Sequence, residues 1–365
     1  MAALLALGVV AAACSGSGRG KASPAGGPPT TAVDECRGTQ PGGQVVVYTT
    51  TGLEYWYADV LTNFQTDCAV QIAYVGASPD EILGRLRDEQ AQPLGDLVIG
   101  PAPHLALAAA ERLLTPNGVP ADAGVPADRC ARDRSWCSLA ETYVSWVAGT
   151  SQPVPRTWQD LTTAAFSGQV LTAPPDSTLD GLALLLLLDR TMGRPAALAY
   201  LAALEHNVAG HYPTADSMSR VVSGGGALVA DGDLQEHMND LVQFKSLSIW
   251  FPSNTTLAIP IGGALIRGGP NAANAAALAA YLWSQAGQRS LGLANLVPGR
   301  PDVVPSDARS RSLRSHLNGI RIVRLDWEAA VATDPALVAA WQKLRTAPSV
   351  TAVIPTPTVP VPFGH

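Results

Sequence analysis

Between residues 45 and 114 the chain alternates short apolar runs of high strand propensity with helical patterns, and this alternation constrains the fold more than any other feature. The first run, residues 45–51, ends in three threonines, and Trp56, Val60 and Phe64 then recur at about one-turn spacing. That order predicts a strand, a polar turn and a helix. Strands and helices that alternate at this length predict an α/β fold with a parallel, doubly wound sheet.

Two further strand and helix pairs complete the alternation. Residues 70–75 predict a second strand, and the helix over residues 80–90 has Ser78 placed to cap it. A third strand is predicted over residues 95–100, followed by a helix rich in Ala and Leu. Because ligands of open α/β sheets collect outside the carboxyl ends of the strands, we expect Thr50, Thr51 and Ser78 to line one small-molecule site.

Length and composition exclude several classes of function. A chain of 365 residues with 47% hydrophobic and 15% charged side chains predicts about two domains with sizeable cores. The net charge of −6, with Lys and Arg scattered, argues against nucleic acid as a partner. The nucleophile elbow, the phosphate-binding loop and the zinc-protease motif are all absent from the sequence, so we expect no enzymatic activity and no cofactor.

The first residues predict export and a lipid anchor. Residues 1–13 form an apolar run of signal-peptide length, and the sequence from Val10 to Ser15 resembles a bacterial lipobox with Cys14 as the lipidated cysteine. Residues 14–43 are rich in Gly, Ser, Pro and Thr, which predicts a disordered tether. Residues 347–365 alternate Pro, Val and Thr, which predicts an extended, disordered tail.

Four cysteines remain once Cys14 is set aside. An even number in an exported chain favours disulfides, and four cysteines permit three pairings. We favour Cys36 with Cys68 and Cys130 with Cys137, because the second pair closes a short loop and the first ties the tether to the first helix-strand connection. A zinc site is the alternative, although no Cys-x-x-Cys or histidine pair supports it.

Several short motifs, taken in order, resemble the extracellular solute-binding proteins of ABC importers. The resemblance lies with the branch of 2-aminoethylphosphonate and, more distantly, ferric-iron binders, and it covers roughly residues 45–341. The motifs that carry it are Tyr-Thr at 48–49, Gly-Leu-Glu-Tyr-Trp-Tyr at 52–57, Ala-Ser at 77–78, Trp-Gln-Asp-Leu at 158–161, Gly-Gln-Val at 168–170, the Ser-Thr turn at 177–178, and Arg-Gly-Gly-Pro-Asn at 267–271.

The resemblance implies a two-lobed periplasmic-binding-protein fold of type II, with a mixed sheet flanked by helices in each lobe and a hinge between the lobes. The first lobe is expected over residues 44–140 and 256–297, and the second over residues 141–255 and 298–346. The lobes of this family close on a ligand, and the closed protein then docks on a membrane permease. The implied protein is a monomer, lipid-anchored on the extracytoplasmic face of the bacterial membrane.

The ligand implied is a small anionic or zwitterionic solute, best represented by 2-aminoethylphosphonate. Ferric-iron relatives place adjacent tyrosines where this chain has Asp231-Gly232-Asp233, which argues against iron, although two aspartates could bind another hard cation. A protein that transports iron or another metal is therefore one alternative, and a partner-binding lipoprotein that takes no ligand is the other. Hydroxyls and backbone N–H groups would hold the anion, and an aspartate would hold the ammonium group. The expected ligand-binding residues are Thr50, Thr51, Ser78, Ser177, Thr178, Tyr212, Asp231 and Asp233.

Overall fold

The computed structural model describes residues 36–50, 54–150 and 154–346. The predicted signal peptide, Cys14, Thr51 and the predicted tail lie outside these ranges. Strands of the described part are β1 Gln44–Thr50, β2 Gln71–Ala77, β3 Leu97–Pro101, β4 Trp136–Gly149, β5 Val170–Thr172, β6 Val208–His211, β7 Val229–Asp233, β8 Leu247–Trp250, β9 Thr255–Leu265, β10 Val297–Pro298 and β11 Arg321–Val323. The helices are α1 Glu54–Cys68, α2 Pro79–Asp88, α3 Ala102–Ala110, α4 Leu179–Met192, α5 Arg194–Glu205, α6 Ala215–Ser223, α7 Leu234–Gln243, α8 Ala272–Leu282, α9 Gln285–Arg289, α10 Ala308–Leu317 and α11 Trp327–Gln342.

The strands form a mixed sheet in the order β2-β1-β3-β9-β4-β7-β5-β6. On one side, which we call lobe 1, β1 is parallel to β2 and β3, whereas β9 is antiparallel to β3. On the other side, lobe 2, β5 is parallel to β6 and β7, and β7 is antiparallel to β4. The predicted α/β, two-lobed architecture with mixed sheets is confirmed: β1, β2 and β3 are parallel, as their alternation with helices indicated, and β9 adds an antiparallel strand beside β3.

Two long strands join the lobes. The first half of β4 pairs with β9 as far as Tyr143 opposite Ala258, and from Val144 onward β4 pairs with β7 instead. The start of β9 pairs with β11, which belongs to the last third of the chain. The change of partner lies within three residues of the sequence-based lobe boundaries, which remain a prediction.

Local sequence explains why α2 and α4 begin where they do. Ser78 caps α2 in a capping box with Glu81, and Pro79 takes the first helical position, as its fixed φ favours. Thr178 caps α4 by accepting a bond from Gly181 N at 3.1 Å. A Cβ on Gly181 would lie 2.4 Å from the Ala173 carbonyl oxygen, so only glycine lets the first turn of α4 sit this close to the end of β5.

Apolar side chains on the two faces of β1 enter separate cores. Tyr48 packs with α2 and α3, whereas Val45 and Val47 pack with α1 and α8. The predicted apolar stretch of residues 182–188 forms the middle of α4 and is largely buried. Within the described ranges, no helix combines the length and the apolar character needed to cross a bilayer.

Residues 36–43, which the composition assigns to the tether, are held on the folded body. Gln40 N donates to Asn274 Oδ1 at 2.6 Å, and Gly42 N donates to the Ala69 carbonyl oxygen at 2.7 Å. The structure also forms the disulfides Cys36–Cys68 and Cys130–Cys137, the pairing favoured above. Composition placed the end of the tether too late in the chain, because it contains no information about the Cys36–Cys68 disulfide or the hydrogen bond to Asn274.

We expect the two disulfides to stabilise the fold unequally. Their sequence separations are 32 and 7 residues, and loop-closure entropy then predicts a loss of about 4 kcal/mol when Cys36 and Cys68 are both changed to Ala, against about 2 kcal/mol for the Cys130 and Cys137 pair. Urea unfolding of the two double variants measures the difference. An equal loss in both variants would show that the loop entropy does not govern their contribution.

Candidate functional site

The carboxyl ends of the strands in both lobes face the place where β4 and β9 cross between them. In lobe 1, β3 ends at Pro101 beside Ile261 of β9. In lobe 2, β7 ends at Asp233 beside Val144, at the point where β4 has just left lobe 1. Since β1 is parallel to β3, and β5 and β6 are parallel to β7, both sets of strand ends border one interlobe cleft.

On the lobe 1 side, the structure brings Thr50 and Ser78 to neighbouring strand ends. Thr50 pairs with Ala77, the residue before Ser78, and its side chain is 8% exposed. The Ser78 hydroxyl is already occupied, because it donates to Glu81 Oε2 at 2.7 Å. The Ser78 N–H is occupied as well, because it donates to the same Glu81 oxygen at 2.9 Å, so Ser78 can donate to a ligand only if the capping box opens.

His104 is a lobe 1 residue that the sequence did not select. It lines a small cavity together with Thr50 and Pro79, and its Nε2 lies 3.1 Å from Asp80 Oδ1. Burial lowers the pKa of His104, while the Asp80 carboxylate opposes that shift. No spacing rule relates His104 to Thr50, since they meet only through the packing of α3 on β1.

On the lobe 2 side, three helices begin at strand ends and each has a side-chain cap. Thr178 caps α4, Thr214 caps α6 and Asp233 caps α7. Asp233 Oδ1 accepts bonds from Gln235 N at 2.7 Å and from Thr142 Oγ1 at 2.8 Å. The N-termini of these helices therefore point toward the cleft from lobe 2.

Among the residues predicted for lobe 2, Ser177 and Tyr212 differ in accessibility. Ser177 is exposed in the turn before α4, next to the half-buried Thr178. Tyr212 is half-buried and packs against the lobe 2 core around Met218 and Val222, with its N–H bonded to the Thr172 carbonyl oxygen at 2.9 Å. Its packing accounts for Tyr212 without a ligand, so its part in binding stays a prediction.

Three carboxylates meet at the start of α4 and α7. Single oxygen atoms of Asp180, Asp233 and Glu236 all lie within 4.8 Å of one another, and we call this group the acid cluster. Asp233 is buried, Asp180 half-buried and Glu236 exposed, so the cluster opens to solvent on one side. Within the described residues, none of the three forms an ion pair with Arg, Lys or His.

This arrangement makes ionisation of the acid cluster unfavourable. Burial, followed by the charge of Asp233, raises the pKa of Asp180 well above its ordinary value. Burial also raises the pKa of Asp233, although its hydrogen bonds oppose the shift. Carboxylates held together without a counter-ion favour any cation that can enter between them.

Asp231 lies beneath the acid cluster. Its side chain is fully buried on the same face of β7 as Asp233, because side chains two residues apart on a strand share a face. Oδ1 accepts a bond from Ala173 N at 2.7 Å, whereas Oδ2 has no hydrogen-bond partner among the described atoms. Burial raises the pKa of Asp231 to about 8, so its carboxyl group retains a proton at neutral pH.

The sequence pointed to Asp231 and Asp233 but missed Asp180 and Glu236. Signals for both were present, since Asp180 is in the first turn after the cap Thr178, and Glu236 is three residues after the cap Asp233. Acids in a first helical turn are usual because the helix dipole favours them. Their meeting depends on two helices from distant parts of the chain starting side by side.

Asp231 gives the stability a predictable pH dependence. Its folded pKa of about 8 exceeds the ordinary value of 3.8, so the folded state retains a proton that the unfolded chain loses, and stability falls as pH rises from about 4 to about 8. Between pH 6.5 and 8 this group should remove roughly 2 kcal/mol. We expect Asp231→Asn to reduce that slope in urea unfolding measured at several pH values in this window.

Two residues define the control for this measurement. Burial lowers the pKa of His237 to about 3, so the stability linked to His237 is lost as pH falls below about 6.5, outside the window. The N–H groups of Thr157 and Arg156 lower the pKa of Asp160, so Asp160→Asn should leave the slope unchanged. A slope that is the same in Asp231→Asn and in the unaltered chain would contradict the assignment to Asp231.

The sequence of this chain is similar to proteins of one family. Residues 148–328 match the family model described as bacterial extracellular solute-binding protein. A Salmonella typhi protein named "Putative 2-aminoethylphosphonate-binding periplasmic protein" is 27% identical over 313 residues, which cover 82% of this chain and 92% of the relative. A protein of the same name from Salmonella paratyphi A is 26% identical over the same shares of both chains.

Solved structures share the fold at lower sequence identity. The ferric binding protein from Campylobacter jejuni has a TM-score of 0.72 at 17% identity, and the match covers 82% of this chain and 99% of that one. The periplasmic binding protein AfuA from Actinobacillus pleuropneumoniae, with exogenous fructose-6-phosphate bound, has a TM-score of 0.70 at 17% identity over 82% and 98% of the two chains. The structural matches confirm the fold class inferred from the sequence, and the sequence matches confirm the resemblance.

Proposed function

We propose that this chain, which is similar in sequence and in fold to bacterial extracellular solute-binding proteins, captures a small zwitterionic solute between its two lobes. The best candidate is 2-aminoethylphosphonate, the ligand in the name of the relatives from Salmonella. The loaded protein would then deliver the solute to the permease of an ABC importer.

The observation that carries the proposal is the acid cluster with no counter-ion at the lobe 2 edge of the cleft. Asp180, Asp233 and Glu236 present three carboxylate oxygens within 4.8 Å of one another, and a solute carrying an ammonium group would supply the missing positive charge. We assign the ammonium end of the ligand to this cluster, with Asp231 supporting it from the buried side.

The anionic end would lie across the cleft, against lobe 1. Helix N-termini favour phosphonate and carboxylate groups, because unpaired N–H groups point at the ligand. The contributing residues we propose are Thr50 and Thr51 after β1, Ser78 once its capping box with Glu81 opens, and Ser177 with Thr178 from the opposite side. An anion near lobe 1 and an ammonium near lobe 2 would hold the lobes closed through a single ligand.

We propose that Cys14 carries the lipid anchor and that the tether after it keeps the body near its permease. In this arrangement the protein works as a monomer on the extracytoplasmic face of the membrane. Lobe boundaries at residues 44–140 with 256–297, and at 141–255 with 298–346, belong to the same proposal. The change of partner strand at Tyr143 and Ala258 supports them.

A second candidate ligand is a hard metal cation. Three carboxylates are also suitable ligands for Ca²⁺, Mn²⁺ or Fe³⁺, and the acid cluster alone supports this alternative. Where the resemblance implies adjacent tyrosines for iron binding, this chain has Asp231-Gly232-Asp233, which favours the zwitterion.

Calorimetric titration of the mature chain, freed of bound solutes by mild unfolding and refolding, tests the proposal. We expect binding of 2-aminoethylphosphonate at micromolar concentration or below, and no binding of ethylphosphonate, Mn²⁺ or Fe³⁺–citrate in the same range. Heat with a metal ion and none with the aminophosphonate would replace the first candidate with the second. No heat with any of them would favour the partner-binding lipoprotein.

A further inference from the structure

The acid cluster has a geometry that distinguishes one kind of cation from another. A primary ammonium donates up to three N–H bonds in tetrahedral directions, and charge-assisted bonds of about 2.8 Å then place the accepting oxygens about 4.6 Å apart. The oxygens of Asp180, Asp233 and Glu236 all lie within 4.8 Å of one another, so one such group can reach all three.

A second observation points to a ligand in the same place. The Asp231 carboxyl is fully buried on the face of β7 that also carries Asp233, and its Oδ2 has no hydrogen-bond partner in the part of the chain that the structure describes. A buried polar atom without a partner is costly, and the cost falls when a donor binds in the adjacent space.

The accessibility of the three oxygens shows the direction of entry. Glu236 is exposed, Asp180 is half-buried and Asp233 is buried, so a cation would enter past Glu236 and stop at Asp233. Asp233 is the most fixed of the three, because its Oδ1 accepts bonds from Thr142 and from the first turn of α7. Asp233, on the buried side of the cluster, is therefore fixed, whereas the exposed Glu236 can adjust to the ligand.

We infer that the acid cluster is a selectivity site for a primary ammonium group. Asp180, Asp233 and Glu236 each accept one N–H bond from the ligand, so the site binds an N-methylated group more weakly and rejects a quaternary ammonium group. This inference rests on the proposed function, which places an ammonium group in the cleft, and it adds the chemical class that the cleft accepts. A trimethylammonium group has no N–H to donate, and its methyl groups keep its charge away from all three oxygens.

The test compares 2-aminoethylphosphonate with its N-methyl and N,N,N-trimethyl analogues and with ethylphosphonate, each titrated into the mature chain. A site built to accept N–H bonds should bind the trimethyl analogue at least about 100-fold more weakly than the parent compound. The N-methyl analogue should fall between them. Binding of the trimethyl analogue within threefold of the parent would overturn the inference while leaving the proposed function intact.

Asp180→Asn and Glu236→Gln show whether the cluster itself makes the distinction. In each variant we expect the ratio of affinities between the parent and the trimethyl analogue to shrink by about tenfold or more, whereas a merely structural role would weaken all ligands alike. Asp189→Asn, at the other end of α4, should leave the ratio unchanged. An unchanged ratio in both cluster variants would contradict the inference.

Ethanolamine and methylammonium at millimolar concentration separate failure of the inference from failure of the proposed function. If no phosphonate binds, but these primary amines raise the melting temperature of the unaltered chain and not of Asp180→Asn, the ammonium site stands and the anionic half of the ligand is wrong. If Mn²⁺ raises it instead and the amines do not, the cluster is a metal site and the inference fails.

Discussion

Replacing Glu141 with Gln should lower the free energy of unfolding by about 3 kcal/mol, because it would leave two largely buried arginines facing a neutral group. The Glu141 side chain is completely buried on β4. Arg324 binds both of its oxygens, Arg129 Nε lies 3.5 Å from Oε1, and the Tyr143 hydroxyl donates to Oε2 at 2.9 Å. Urea unfolding at pH 7.5 measures the loss.

The consequence should extend beyond stability, because Arg324 lies between β11 and α11. Its bond to Glu141 ties this last part of the chain to β4 where the lobes meet. Asp326→Asn is the matched control, since Asp326 pairs with the exposed Arg132 at 2.7 Å and caps α11, a role that Asn can keep. We expect less than about 1 kcal/mol from the control. Equal losses of unfolding free energy in the two variants would show that the buried ion pairs of Glu141 stabilise the fold no more than the exposed pair of Asp326.

Local chemistry in the sequence was enough to predict several elements. Ser78 and Pro79 marked the start of α2, and the structure forms the full capping box there. The apolar run at residues 182–188 indicated a buried helix, and α4 is one. These features depend on neighbours within one or two helical turns, where spacing and side-chain type carry the information.

Features that depend on distant parts of the chain could not be predicted in the same way. Asp180 and Glu236 are 56 positions apart in the numbering and meet only because α4 and α7 start beside each other. The Ser78 hydroxyl could be placed at the site but not shown to be occupied by Glu81. Sequence patterns therefore predicted which residues lie at the edge of the cleft. The excess of negative charge in the acid cluster became visible only in the folded structure.

The excess of negative charge in the acid cluster destabilises the ligand-free protein. Carboxylates that would each ionise freely in water are packed together, and their raised pKa values measure the penalty. A binding site that is unfavourable when empty and relieved by its ligand stores part of the binding free energy in the apo state. The same substitution should therefore change stability and affinity in opposite directions.

Asp180→Asn should weaken binding of 2-aminoethylphosphonate by about 100-fold, equivalent to about 2.7 kcal/mol, and at the same time stabilise the empty protein. The pKa of Asp180 is raised in the folded state, so its unfavourable contribution is absent below about pH 4, where both states hold the proton, and grows as pH rises. At pH 7.5 we expect the empty variant to be about 1–2 kcal/mol more stable than the unaltered chain. Calorimetry and urea unfolding on the same preparations measure the two effects.

Asp189→Asn on the same helix separates this effect from a general loss of charge. Asp189 lies one helix length away from the cleft and pairs with Arg194 at 3.2 Å, so its replacement should leave affinity unchanged and lower stability by less than about 1 kcal/mol. The helix dipole opposes the predicted gain in Asp180→Asn, since an acid in the first turn contributes about 0.3–1 kcal/mol, but repulsion within the acid cluster is larger. A loss of both affinity and stability in Asp180→Asn would contradict this prediction. It would show that Asp180 stabilises the start of α4, and that its repulsion by the neighbouring carboxylates is not the dominant effect in the empty protein.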